Sequence, residues 1–137
     1  MKRLKVRDVI EHRAQTIDPS ASLLEAARRM VEEATDAFVV SPLEKDEPFG
    51  IITQRDIVDL FADEVDIGKV TVGEMASKPL FIVSPGMPIL YAAKMFRKAG
   101  VNHLAVFNGQ EILGIISCNE VLGSLPNLME QIYSEFD

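Results

Sequence analysis

The sequence predicts an α+β fold built from two copies of one βαββα unit, and internal repetition is what predicts it. The run Gly50-Ile51-Ile52-Thr53-Gln54-Arg55-Asp56-Ile57-Val58 recurs 64 residues later as Gly114-Ile115-Ile116-Ser117-Cys118-Asn119-Glu120-Val121-Leu122. Every position matches by type except Gln54/Cys118 and Arg55/Asn119. Upstream, the stretch from Pro19 to Arg28 lies over the stretch from Pro85 to Lys94 at an offset of 66, and Val6-Arg7-Asp8-Val9 lies over Val72-Gly73-Glu74-Met75 at the same offset. The two-residue difference falls between about residues 41 and 49, and insertions collect in surface loops because water can satisfy exposed backbone. The period is too long for an ordinary solenoid. Two copies of a small domain that fold against each other is the reading that lets 137 residues bury roughly two thirds of their unfolded surface.

Each element has a local cause. Gln15-Thr16-Ile17 ahead of Asp18-Pro19 reads as a short strand closed by a turn, since Pro donates nothing to a ladder and Asp binds its own backbone. Ser22-Leu23-Leu24-Glu25 then has capping-box spacing, and Leu23, Ala27, Met30 and Ala34 recur at helical period, with Arg28, Arg29, Glu32 and Glu33 mostly off that stripe. In the second half Ile89, Ala93, Phe96 and Gly100 take these places, and Gly100 can adopt the left-handed conformation that ends a helix.

Ala37-Phe38-Val39-Val40 with Phe49-Gly50-Ile51-Ile52, and residues 103–107 with residues 112–116, are apolar runs rich in strand formers. Asn108-Gly109 between the second pair is a hairpin signal, because both residues tolerate positive φ. Thr53 and Ser117 can each cap a final helix, carrying Ile57, Val58 and Leu60 or Val121 and Leu122. The polar, Gly-interrupted stretch 63–69 reads as a linker, and Leu128, Met129, Ile132 and Phe136 share one face of a last helix. The expected division is 1–62 for the first repeat, 63–71 for a linker, 72–125 for the second repeat and 126–137 for a C-terminal helical extension.

Composition narrows the function classes. With 47% hydrophobic and 26% charged residues the chain is globular in type. No apolar run approaches the ~20 residues that span a bilayer. The N-terminus shows no signal-peptide pattern, so a cytoplasmic protein without membrane attachment is expected. A net charge of −7 argues against nucleic-acid binding, which needs clustered cations. Lys2, Arg3, Lys5 and Arg7 form the basic cluster, read as a solvated lead-in or, alternatively, a small anion- or partner-binding patch. The single cysteine, Cys118, excludes an internal disulfide framework and reads as a small buried hydrophobe. With two histidines, His12 and His103, and no Cys-x-x-Cys pair, Gly-rich phosphate loop or recognisable serine-base arrangement, no enzyme, metal site or resident cofactor is expected.

The duplication, the element order and the Gly-apolar-Ile-Thr-x-Arg-Asp run together resemble a tandem CBS-domain pair, the Bateman module, from about Val6 to Leu122. The resemblance implies two βαββα repeats packed through their sheets about a pseudo-twofold. It also implies two clefts for adenosine-containing ligands such as AMP, ADP, ATP or S-adenosylmethionine, assembly into a homodimer, and an unknown effector protein that reads the ligand state.

Ligand roles follow on particular residues. Asp56, one turn past a capping Thr53, can accept both ribose hydroxyls, while the Thr53 hydroxyl and the helix-start amides can receive a phosphate. Thr53 as a plain N-cap and Asp56 as a plain first-turn acid is the bland reading. Ser117 keeps the hydroxyl in the second repeat, but Glu120 is one methylene longer and is expected to reach too far forward for a ribose. Arg55, Asn102 and His103 are candidate phosphate contacts, and Asp36 disfavours a polyphosphate beside it. Thr16 is a further candidate ligand contact, and Ile17, Phe38, Ile51 and Leu104, with Val83, are candidate lining for the adenine, their alternative being core. The competing function is a protein-interaction or oligomerisation module that binds no nucleotide.

Overall fold

The structure, a computed structural model, describes residues 4–10, 15–78 and 80–134. Lys2, Arg3, His12 and Phe136, singled out above, lie outside the described residues. In chain order the elements are α1 (Val6–Val9), β1 (Thr16–Ile17), α2 (Leu23–Glu33), β2 (Ala37–Val40), β3 (Gly50–Thr53), α3 (Gln54–Ala62), α4 (Val72–Met75), β4 (Ile82–Val83), α5 (Ile89–Ala99), β5 (His103–Phe107), β6 (Ile112–Ser117) and α6 (Cys118–Ser134). Each half therefore reads strand, helix, strand, strand, helix, as the sequence predicts. The short helical turns α1 and α4 are additions that the sequence aligned without assigning.

The two sheets share one topology. β1 runs parallel to β2, and β2 antiparallel to β3 with Ala37 opposite Thr53. Likewise β4 runs parallel to β5, and β5 antiparallel to β6 with His103 opposite Ser117. Gly109 takes a φ of 100°, and the Asn108 side chain accepts the Gln110 and Glu111 amides at 2.8 Å, which closes the second hairpin as expected. The first hairpin instead carries the longer loop, exposed from Leu43 to Phe49.

Three helices depart from expectation in detail. Ser22 caps α2 by accepting the Glu25 amide at 3.0 Å, but Glu25 does not complete a capping box; its carboxylate pairs with Arg28. The buried stripe of α2 is Leu23, Ala26 and Met30, and that of α5 is Ile89, Ala92 and Phe96, so Ala26 and Ala92 are buried where Ala27 and Ala93 were expected. Ala34 adopts a left-handed cap at φ 52°, matching Gly100 at φ 69°. The expected extension at 126–137 is not separate: α6 runs from Cys118 to Ser134 through Pro126, whose missing N–H leaves the helix without the bond to the Leu122 carbonyl.

The compact units do not follow the repeat boundaries. One unit is residues 15–80 and the other is residues 1–14 with residues 81–137. The first core holds Ile17, Leu23, Ala26, Met30, Phe38, Val40, Ile52, Ile57 and Val72; the second holds Val83, Ile89, Ala92, Phe96, Leu104, Val106, Ile116, Val121 and Val6. These nine positions correspond one to one through the duplication, except that the lead-in valines are exchanged. Val72 closes the first repeat's core and Val6 closes the second's.

Backbone bonds fix the exchange. Val72 and Gly73 donate to the Ala21 and Pro19 carbonyls at 2.8 Å, while Val6 and Arg7 donate to Met87 and Pro85 at 2.8 and 3.0 Å. The expected linker is thus part of the first unit. Leu23 and Leu24 donate to the Val70 and Ile67 carbonyls, and Val65, Ile67 and Val70 pack against the first core. Full burial of one such valine contributes about 1.5–3 kcal/mol, which a freely solvated linker would forfeit.

Candidate functional site

The Gly-Ile-Ile-Thr run places Thr53 where β3 gives way to α3. Thr53 is extended at φ −116°, ψ 163°, and its Oγ1 accepts the Asp56 amide at 3.2 Å. The Thr53 amide returns the bond, donating to Asp56 Oδ2 at 2.9 Å. Both side chains are half-buried. Among the described residues nothing takes the Thr53 hydroxyl proton or Oδ1 of Asp56, so the pair keeps one donor and one acceptor in hand.

Of the first three amides of α3, that of Gln54 donates to the Asp36 carbonyl at 2.8 Å and that of Asp56 to Thr53. The expectation of several open amides for a phosphate is therefore corrected to the Arg55 amide alone in that stretch. The Arg55 side chain is 80% exposed and donates from Nε to Asp59 Oδ1 at 3.0 Å, a solvated helix pair worth only a few tenths of a kcal/mol.

The second repeat builds the same corner with a different closure. Ser117 donates its amide to Glu120 Oε1 at 3.0 Å and its hydroxyl to the same oxygen at 3.1 Å, while Ser117 Oγ accepts the Glu120 amide at 3.2 Å. The extra methylene of Glu120 lets its side chain fold back onto the cap. Cys118 donates its amide to the Asn102 carbonyl at 3.0 Å, mirroring Gln54 and Asp36. His103 faces Ser117 across the β5–β6 pair, so the second corner gathers Asn102, His103, Ser117 and Glu120.

The remaining predicted positions separate. Ile17, Phe38 and Leu104 sit in the cores, Phe38 and Leu104 at 0% exposure, which is the core alternative that the sequence left open for them. Val83 is core as well. Arg29 lies 4.5 Å from the Phe38 ring centroid and donates to the Thr16 carbonyl, so its cation covers the core aromatic. Thr16 is exposed and Ile51 half-buried. Cys118 is exposed rather than buried, since it starts α6 outside the core, and partial desolvation pushes its thiol above the ordinary range.

One neighbour was not legible in the sequence. Ile51 and Ser77 exchange two backbone bonds of 3.0 Å, which brings Lys78 beside Gly50 on the strand leading to Thr53. A cation from the second repeat's lead-in reaches the first repeat's strand through the exchange, and the local pattern at residues 77–78 carries no sign of it. Among the described residues there is no group of three or more His, Cys, Asp or Glu suited to a metal ion, and no helix is long and apolar enough to cross a membrane.

A family model described as CBS domain matches residues 6–63 and again 72–127. The chain belongs to the CBS-domain family, as a pair of repeats. Its CBS pair is similar to the hexameric CBS-CP12 protein from bloom-forming cyanobacteria at 30% identity and a TM-score of 0.81, over 87% of this chain and 69% of that one. Another similar structure is a CBS-domain protein from Pyrobaculum aerophilum complexed with AMP, at 18% identity and a TM-score of 0.75, over 90% of this chain and 99% of that one. A third is the CBS-domain pair of protein MJ0100 in complex with 5′-methylthioadenosine and S-adenosyl-L-methionine, at 18% identity and a TM-score of 0.78, covering 92% of this chain and 98% of that one. At 18% identity the last two likenesses establish the fold.

Proposed function

We infer that this CBS pair is a regulatory module that binds one adenosine-containing ligand at the Thr53/Asp56 corner and passes its state to a partner protein. The observation that carries this reading is the uncommitted Oδ1 of Asp56 beside the uncommitted Thr53 hydroxyl, at the positive end of a helix. A carboxylate holding its own cap with one oxygen can still accept ribose hydroxyls with the other. AMP in one structural relative, and S-adenosyl-L-methionine with 5′-methylthioadenosine in another, support an adenosine ligand.

The second corner differs in one respect that matters for binding. The Ser117 hydroxyl already donates to Glu120, so a ligand there must displace an internal bond before it gains one. One ligand per chain, at the first corner, is the resulting stoichiometry. The module acts as a cytoplasmic homodimer through exposed apolar residues of α3 and α6, including Phe61, Leu122 and Leu125; Leu60, also considered for that face, packs on the first core. No catalytic step is part of this function.

The test is a thermal-shift panel of AMP, ADP, ATP, S-adenosylmethionine and 5′-methylthioadenosine, followed by calorimetry of the hits. A ligand at a hundred times its dissociation constant adds roughly 2.7 kcal/mol of stability. A flat panel would replace this reading with the interaction module, and two equivalent sites per chain would overturn the asymmetry.

A further inference from the structure

The two repeats have diverged in complementary directions on surfaces that the ligand site does not use. An open groove of about 400 Å³, mostly apolar, runs along α5 and is lined by Gly86, Met87, Tyr91, Lys94, Met95 and Lys98. Lys94 Nζ lies 5.4 Å from the Tyr91 ring centroid, and an Arg7 guanidinium nitrogen lies 3.7 Å from where a Gly86 side chain would begin. Among the described residues Arg7, Lys94 and Lys98 pair with no carboxylate. Three unpaired cations around an apolar trough stand out on a chain of net charge −7.

The duplication supplies its own control. The positions matching Tyr91, Lys94, Met95 and Lys98 in the first repeat are Glu25, Arg28, Arg29 and Glu32, where Glu25 pairs with Arg28 and Arg29 with Glu33. That face is charge-neutralised and lacks the aromatic. Conversely, the first repeat alone carries the long hairpin loop Pro42-Leu43-Glu44-Lys45-Asp46-Glu47-Pro48-Phe49, with three acids against one lysine. Its apolar ends stand in solvent, Leu43 at 67% and Phe49 at 43% exposure, and a turn from Glu44 to Glu47 holds the acids between them.

We propose that the α5 groove receives the 42–49 loop of a second copy of this chain, with Leu43 or Phe49 against Tyr91, Met87 and Met95 and the loop acids against Lys94, Lys98 and Arg7. The dimensions agree. The ten helical residues from Ile89 to Lys98 span about 15 Å, and Leu43 to Phe49 spans at most about 20 Å. Leu43 and Phe49 at the loop ends and Tyr91 in the groove are each exposed. The contact joins unlike surfaces and is therefore head-to-tail, closing into a ring or continuing as a chain rather than ending at a two-fold dimer.

Light scattering of the full chain across a concentration series tests this. Wild type should grow beyond its basal species as concentration rises and revert at high salt, because partly exposed charges are screened. K94E/K98E and E44K/E47K should each weaken that growth by roughly tenfold or more, since like charges then face each other. An equimolar mixture of the two variants should restore it to within about threefold, which a misfolded variant cannot do. Absence of growth in wild type, loss in the groove variant but not the loop variant, or failure of the mixture to recover would each overturn the proposal. So would growth that persists unchanged in both variants, or sedimentation of the chain with phosphatidylserine vesicles in place of self-association.

Discussion

Gly73 donates its amide to the Pro19 carbonyl at 2.8 Å, and a β-carbon built on Gly73 would lie 2.9 Å from that same oxygen and 2.8 Å from Pro19 Cβ. The contact locks the second repeat's lead-in onto the first repeat's core and tolerates no side chain. Gly73→Ala should therefore destabilise the chain by about 1–3 kcal/mol. Its counterpart Arg7 makes the equivalent bond to Pro85, so Arg7→Ala should change the melting temperature far less. Denaturant titration of the two variants checks the contrast.

The unequal corners give a paired prediction. Asp56→Ala should weaken AMP binding at least tenfold, as one charged hydrogen-bond acceptor pair is lost. It should also cost roughly 0.5–2 kcal/mol of stability, because the Thr53 amide loses its cap partner. Glu120→Ala should leave the AMP affinity within about twofold at a comparable stability cost. Calorimetry with both variants decides the matter, and equal losses would contradict the assignment.

Where the chain is cut should matter in a way the repeat boundaries alone do not suggest. A fragment of residues 15–80 keeps Val65, Ile67, Val70 and Val72 against the first core, whereas 1–62 exposes that core and carries a Val6 that belongs elsewhere. Circular dichroism melts should show the 15–80 fragment retaining more helix and a sharper transition. Equal behaviour would mean the exchanged segments contribute little.

Pro126 lies inside α6 and is exposed, and it has no N–H to offer the Leu122 carbonyl. Pro126→Ala restores that donor and should raise stability by about 1–3 kcal/mol in thermal denaturation. A lower melting temperature would show that proline's rigidity outweighs the lost bond.

The Asp18 carboxyl titrates below its ordinary value because the Ser20 hydroxyl donates to it at 2.6 Å and the Ser20 amide at 2.8 Å. A depressed folded value means the turn's contribution is complete above the unfolded pKa and is lost as pH falls through the folded one, below pH 3.8. Ser20→Ala should move the Asp18 titration back upward in a carboxyl-detected NMR series. No movement would remove the hydroxyl as the cause.

The βαββα order, the tight Asn108–Gly109 turn, the Gly100 cap and the Thr53 and Ser117 helix starts were readable from residues alone. Each is set by neighbours a few positions away: a missing N–H, a side-chain oxygen three residues before an amide, a glycine where φ is positive. The pairing of His103 with Ser117 does not follow from the turn alone: Phe107 opposite Ile112 would carry His103 to Ile116, and an irregularity between Val106 and Phe107 shifts the register by one residue. What periodicity could not resolve was rotation, since Ala26 and Ala27, or Ala92 and Ala93, are equally apolar and only packing selects between them.

Local pattern determined the order of the repeated strands and helices and the caps at Thr53, Ser117 and Gly100, because those choices depend on short-range geometry and on apolar character. Only the tertiary structure decided that Val6 and Val72 trade cores, that residues 63–71 are packed and not a free linker, and that Lys78 comes to lie beside Gly50. It alone showed Phe38 and Leu104 sealed away and Glu120 folded back onto Ser117. The reason is physical: two repeats of one fold each have a place for a lead-in valine, and long-range backbone contacts, absent from any window of sequence, decide which valine fills it.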